Sequence, residues 1–130
     1  MTAELTVRVA LPATPAQLRN VREIVRSVAV AAGTPGDRVH DVVLAVSEAC
    51  ANVVAHAYGP EGGDMHLLID RRDSDLLFVI TDSGKPVIDK RPTGAGFGLG
   101  LIRALADTVT IEGPGDKGTV VTMTFAIPAG

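Results

Sequence analysis

Apolar and polar positions alternate at the start of the chain. Leu5, Val7, Val9 and Leu11 are separated by Thr6, Arg8 and Ala10, which predicts a strand with one buried face. The period then changes. Leu18, Val21, Val25, Val28 and Ala32 recur at helical spacing. Thr14-Pro15-Ala16-Gln17 has the form of a helix start, with Thr14 as cap, Pro15 in the first position and Gln17 reaching back, and Gly33 closes the helix. A second helix is predicted from about Asp37 to Tyr58, ended by Gly59-Pro60-Glu61-Gly62-Gly63. Met65, Leu67 and Ile69 alternate with His66, Leu68 and Asp70, and Leu76–Thr81 is continuously apolar; these predict a hairpin turning at Arg72-Asp73-Ser74. The stretch 82–97 is rich in Gly and Pro and lacks a period. A short helix over Leu99–Ala106 follows, then a hairpin of Val109–Glu112 and Thr119–Ile127 turned by Gly113-Pro114-Gly115-Asp116. The order β-α-α-β-β-loop-α-β-β, without repeat or linker, predicts one α+β domain over residues 1–130. Its architecture is expected to be a two-layer sandwich: a mixed, mostly antiparallel sheet with helices on one face.

Composition narrows the classes. The chain has 130 residues, 46% hydrophobic and 21% charged, which suits a packed domain rather than a disordered one. With no Trp and 3% aromatics, the core must rest on Val, Leu, Ile and Ala. A net charge of −3 and a pI near 5.5 argue against a nucleic-acid surface, which needs a basic stripe. One cysteine, Cys50, precludes an internal disulfide and points to a reducing compartment. The N-terminus lacks a signal-peptide pattern and no apolar run reaches membrane-spanning length, so a cytoplasmic protein without a membrane role is expected.

The segment LAVSEACANVVAHAYG places Glu48, Asn52 and His56 four residues apart on an otherwise apolar helix, in line with Asp41 and Ala45. A solvated face would favour long charged side chains; this stripe has small polar groups and one carboxylate, which suits a lined pocket equally well. A glutamate there can serve as a general base, and an amide oxygen is a suitable hard donor for Mg²⁺. His56, near a helix end, is more readily structural, although it could extend the site. In TGAGFGLGL, Gly94, Gly96, Gly98 and Gly100 alternate immediately before a helix, where backbone amides favour phosphate. A loop whose glycines serve only its turns would look the same. No Walker A lysine accompanies them, and their late position does not match a dinucleotide fingerprint. Asp82 ends an apolar strand, two residues before Gly84. It can accept a hydrogen bond from an exocyclic amine or serve simply as a turn residue, and Thr119 opens the last strand after Gly118.

Glu48-x3-Asn52, Asp82-x-Gly84, Gly98-Leu99-Gly100-Leu101 and Gly118-Thr119, in this order on one α+β chain, resemble the GHKL ATPase superfamily with its Bergerat nucleotide-binding fold. Within it, VSEACANVVAHAYG is similar to the N-box helix of bacterial anti-sigma factors that are also serine-protein kinases, and the likeness covers essentially the whole chain. The resemblance implies an ATP and Mg²⁺ site in which Glu48 is the catalytic base and Asn52 the Mg²⁺ ligand. Asp82 would bind the adenine amine, with Gly84 beside the base and Thr119 assisting. Gly96, Gly98, Leu99 and Gly100 would hold phosphates, and residues 85–97 would form the lid. It further implies a sigma factor and an anti-anti-sigma (STAS-domain) protein as partners, Arg22 at the partner surface beside Arg19 and Arg26, a homodimer, and no direct contact with nucleic acid. Two features depart from the pattern. The family's Asp-x-Gly-x-Gly becomes Asp82-Ser83-Gly84-Lys85-Pro86, with Pro86 removing a backbone donor, and the lid is short. They support an alternative: a module that sequesters its partner and holds nucleotide weakly or not at all. A third reading, the ATPase domain of a two-component histidine kinase, ranks lower for want of room for a helix pair carrying a phosphoacceptor His.

Overall fold

The structure is a computed structural model that describes residues 5–85, 99–113 and 118–128. Its elements are β1 (Leu5–Pro12), α1 (Gln17–Ala31), α2 (Gly36–Asn52), a π-helical turn (Val53–Ala57), β2 (Asp64–Arg71), β3 (Asp75–Asp82), α3 (Leu99–Leu105), β4 (Thr108–Glu112) and β5 (Thr119–Ala126). The strands form one five-stranded sheet in the order β1-β2-β3-β5-β4. Every pairing is antiparallel, which is the antiparallel limit of the sheet expected from the sequence.

Register follows from burial. Val9 faces Leu67, Leu67 faces Ile80, and Ile80 faces Val121, so one row of side chains crosses the sheet on one face. Leu67, Ile69, Phe78, Ile80, Met123 and Phe125 on that face are buried under the helices. The continuous apolar run of β3 therefore divides by pleat: Leu76, Phe78 and Ile80 point in, while Leu77 and Val79 lie half-buried on the opposite face. Between the layers the core joins Val21, Val25 and Ala29 of α1 to Val42, Val46 and Ala49 of α2. Among the described residues Phe78 and Phe125 pack edge to face at 5.8 Å.

The helix ends show which local signals the chain uses. Gly33, at φ +91°, closes α1 in a Schellman arrangement: its N–H donates to the Val30 carbonyl, and the Thr34 N–H to that of Ala29. The Arg71 guanidinium adds a 3.0 Å bond to the Ala32 carbonyl. The start of α1 departs from expectation. The cap position is Ala16, without a side-chain bond, and Thr14 contributes its backbone carbonyl to the Gln17 N–H instead of its hydroxyl. Gln17 accepts from Asn20 rather than reaching back, so no capping box forms. The predicted second helix is also not α-helical to Tyr58, since its last turn widens to i→i+5 bonding from Val53.

Arg38 joins the layers. Its guanidinium donates to Asp41 (3.1 Å) and to the Leu105 carbonyl (2.8 Å), pairs with Asp107 (3.2 Å), and lies 5.3 Å from the Phe125 ring centre. Asp107 in turn accepts from the Ala126 N–H. One side chain of α2 thus fixes the end of α3 against β5. Arg38→Ala is expected to lower the unfolding free energy by about 1–3 kcal/mol, because it removes these bonds and strands the partly buried acceptors. Arg38→Met should fall between, since its stem still covers Phe125; denaturant titration of the three proteins checks the order.

Candidate functional site

The stripe on α2 is not a solvated face. Ala45 is fully buried, Asn52 is 9% exposed, and Asp41 and Glu48 are half-buried. The helix is enclosed because α1, the sheet and α3 all pack against it. Glu48 carries its carboxylate in this partly enclosed setting without a hydrogen bond to any described residue, so its lone pairs remain available. His56 does not continue the line. The π-helical turn advances the chain by a wider step, which leaves His56 exposed and brings Ala57 inward.

Asp82 and Thr119 face the helical layer from the sheet. They are directly opposite one another at the ends of β3 and β5, on the inward face, at 4% and 2% exposure. Polar groups buried on a face otherwise made of Val, Ile, Leu, Met and Phe are costly unless something satisfies them. The Gly84 N–H donates to Asp82 Oδ1 at 2.9 Å, which orients the carboxylate. Burial pushes the Asp82 carboxyl above its usual range, and the Gly84 bond opposes part of that rise.

Backbone packing ties the sheet end to the helix end. The Lys85 N–H donates to the Ala57 carbonyl at 2.7 Å, capping the last turn of the long helix. Gly84 packs so tightly against that carbonyl that an added Cβ would collide with it. The Gly118 N–H donates to the Gly84 carbonyl at 2.6 Å; Gly118 has φ +87°, and a Cβ there would press on the Asp82 carbonyl oxygen. Glycine at 84 and 118 is therefore required by the protein's own packing, whatever ligand lies beside it. Through these contacts the segment following Asp82 is held against the helix that bears Asn52 one turn earlier.

The glycine-rich stretch is only partly visible. Gly94, Gly96 and Gly98, together with Pro86 and nearly all of the expected lid, lie outside the described residues. Leu99 is buried at 2% and packs into the core with Ile102, so only its backbone can face a ligand. Gly100 is exposed, and open space surrounds its would-be Cβ; no described residue demands glycine there. Lys85 is exposed, as are Arg19, Arg22 and Arg26 on the outer side of α1, none of which pairs with a described residue. Among the described residues no group of three or more His, Cys, Asp or Glu side chains could hold a metal. An ion bound by one amide would take its remaining ligands from phosphate and water, as Mg²⁺ commonly does.

Sequence reasoning assigned no role to Tyr58 or Arg38. Tyr58 closes the N-box segment, and its amphipathic ring before a Gly-Pro break was the available signal. Arg38 left none, because its partners at 105 and 107 are distant in sequence.

A model of the histidine kinase-like ATPase domain matches residues 11–125. Curated relatives include the serine-protein kinase RsbW of Halalkalibacterium halodurans, 33% identical over 92% of this chain and 82% of the relative. The serine-protein kinase RsbW of Bacillus thuringiensis is 29% identical over 91% and 82%, respectively. Among solved structures, the crystal structure of the RsbU and RsbW domains of a Mycobacterium tuberculosis protein superposes with a TM-score of 0.75 at 23% identity. That match covers 96% of this chain and 33% of the larger one, and shows a common fold.

Asp82→Asn is expected to raise the thermal midpoint at pH 7. The folded-state pKa of Asp82 lies above the ordinary 3.8, so the ionised form is penalised in the folded protein at neutral pH, and the amide removes that penalty while keeping an acceptor for Gly84. The advantage should shrink as pH falls through the raised folded pKa, and vanish below 3.8, where the carboxyl is neutral in both states. Scanning calorimetry from pH 7 to pH 3 checks this; a difference independent of pH contradicts it.

Proposed function

The chain belongs to the histidine kinase-like ATPase domain family, and from that premise we propose that it is an ATP-dependent serine/threonine protein kinase and anti-sigma factor. The observation that carries this reading is the contact of Gly84 with the Ala57 carbonyl, which joins the strand end bearing Asp82, opposite Thr119, to the helix bearing Glu48 and Asn52, with all four side chains buried or half-buried.

Each residue then has a task. The Asp82 carboxylate accepts a hydrogen bond from the adenine amine, with Thr119 opposite it and Gly84 beside the base. Backbone amides at Leu99 and Gly100, with those of Gly96 and Gly98, meet the phosphates. The half-buried Glu48 carboxylate takes the proton of a substrate serine or threonine hydroxyl as its oxygen bonds to the γ-phosphorus, and the bond to the β-bridging oxygen breaks to leave ADP. Mg²⁺ held through the Asn52 side-chain oxygen would supply charge neutralisation on the phosphates. The substrate of this reading is an anti-anti-sigma protein of the STAS class, with a sigma factor as the alternative partner and partner switching as the consequence for transcription. Arg22, with Arg19 and Arg26, offers an exposed basic face on α1 to such partners. No helix among the described residues is long and apolar enough to cross a membrane, and a cytoplasmic location is part of the proposal.

A homodimer belongs to the same reading. The sheet's outer face carries Leu68, Leu77, Val79 and Val120, half-buried with no layer over them among the described residues, and a cavity of about 450 Å³ lined in part by Arg8, His66 and Thr81. A second copy covering this face would bury it. Val79→Glu is expected to shift the protein to monomer in sedimentation equilibrium while the circular dichroism spectrum is kept; an unaltered mass excludes this face as the interface.

The kinase reading is tested by transfer of labelled phosphate from ATP to a cognate anti-anti-sigma protein, with ATP binding followed by calorimetry. Glu48→Ala should cut transfer by about 100-fold or more while leaving ATP affinity within a few-fold, as expected for loss of a general base. Asn52→Ala should lose the Mg²⁺-dependent part of ATP affinity. Full-rate transfer by Glu48→Ala removes that residue's role. Sigma-factor capture with no ATP binding replaces the kinase with a sequestering module, the outcome that Pro86 would favour.

A further inference from the structure

Tyr58 follows the π-helical turn and touches both sides of the site's backbone frame. Its hydroxyl donates to the Asp64 carbonyl at the start of β2 (2.6 Å) and accepts from the Ser83 N–H (2.9 Å), the residue immediately after Asp82. Its ring lies directly on Gly63, where a Cβ would collide with it. Gly63 is itself held, its carbonyl accepting from the Ala13 N–H at 2.8 Å. The π-helical turn matters here because it brings Ala57 inward for the Lys85 bond and sets Tyr58 beside Ser83. Three consecutive residues after Asp82 are thus fixed: Ser83 by Tyr58, Gly84 by Ala57 and Gly118, and Lys85 by Ala57. Gly84 is also tied by the Asp82 side chain, but the tie to Ser83 comes from a side chain outside the turn, and so can be removed without moving a backbone or altering Asp82.

We propose that Tyr58 is a positioning residue for nucleotide selectivity: its hydroxyl bridges the Ser83 amide to the Asp64 carbonyl, and so fixes the Asp82 carboxylate where it reads an exocyclic amine. The selectivity half rests on the ATP reading above; the bridging half does not. Asp82 has one oxygen committed to Gly84, and that bond is sound only while the chain from 82 to 84 keeps its turn. With the Ser83 N–H released, the turn has a second populated form, and a carboxylate displaced by a fraction of an ångström loses the near-linear geometry that a hydrogen bond to a flat base requires.

Tyr58→Phe separates the hydroxyl from the ring. The ring stays on Gly63 and both hydrogen-bond partners are reached by water, so the thermal midpoint should fall only modestly and the fold is kept. In the nucleotide-free protein, amide exchange at Ser83 should accelerate at least severalfold. ATP affinity should fall by roughly five- to tenfold, the scale of one or two neutral hydrogen bonds. Inosine triphosphate, which has a carbonyl where adenine has its amine, should lose much less, so the ratio of ATP to inosine triphosphate affinity is compressed. A merely structural tyrosine would weaken both nucleotides alike and leave the ratio unchanged. Ser83 exchange at the wild-type rate overturns the proposal whether or not nucleotide binds. Faster exchange with an unaltered ratio overturns its selectivity half. Absence of ATP binding by the wild-type protein also overturns that half, together with the ATP reading, while the exchange result still decides the bridge.

Discussion

Close approach of backbone to backbone at Ala57, Gly84 and Gly118 is the constraint on which the site depends. The last carbonyl of the long helix accepts from Lys85, and Gly84 sits against that carbonyl with no room for a side chain. Gly118 repeats the arrangement on the other side, against Asp82. Helix and sheet layers ordinarily stand apart by the thickness of their side chains. Here Gly84 removes that spacing locally, so the segment after Asp82 lies directly against the end of the long helix, and Gly118 lets the start of β5 approach Asp82 equally closely.

Burial then changes what those polar residues can do. Asp82 sits on a strand whose inward neighbours are Ile80, Phe78 and Leu76, and its carboxyl is pushed upward by that setting. Cys50, on the same helix as Glu48 and Asn52, shows the opposite use of the same core: burial raises its thiol to about 12 and leaves it inert. The difference is position. Cys50 lies within the core, whereas Asp82 and Thr119 lie at its edge, where the strands stop. The middle of the sandwich carries the apolar burial, with Val21, Val25, Val42 and Val46 fully buried.

The far end is closed by charge rather than by glycine. Arg38 ties α2 to the end of α3, and Arg71 reaches the end of α1. Both bond backbone carbonyls that a helix end leaves without partners, so they complete hydrogen bonding as well as join elements. The fold is thereby fixed at the end away from Asp82.

Much of this was legible in the chain. The alternation of β1 and β2, the helical spacing of α1, Gly33 as a stop and the hairpin turn at Arg72 to Asp75 follow from local periodicity and turn chemistry, and all appear in the structure. The polar stripe of Glu48 and Asn52 could be read as a lined face because its residues are too small and too few in charge for a solvated one. Three things departed from that reading, and the last two depend on groups distant along the chain. Thr14 does not cap with its hydroxyl, although the local pattern permits it. The long helix widens at Val53 and turns His56 outward, a change that serves contacts with residues 83–85. Gly84, expected beside the base, is also required by the carbonyl of Ala57. Periodicity along the sequence determined which elements form and which face of each is buried; the meeting of their ends, and hence which polar groups share one space, was decided only when the layers packed, because backbone approach and burial are set by partners the local sequence does not contain.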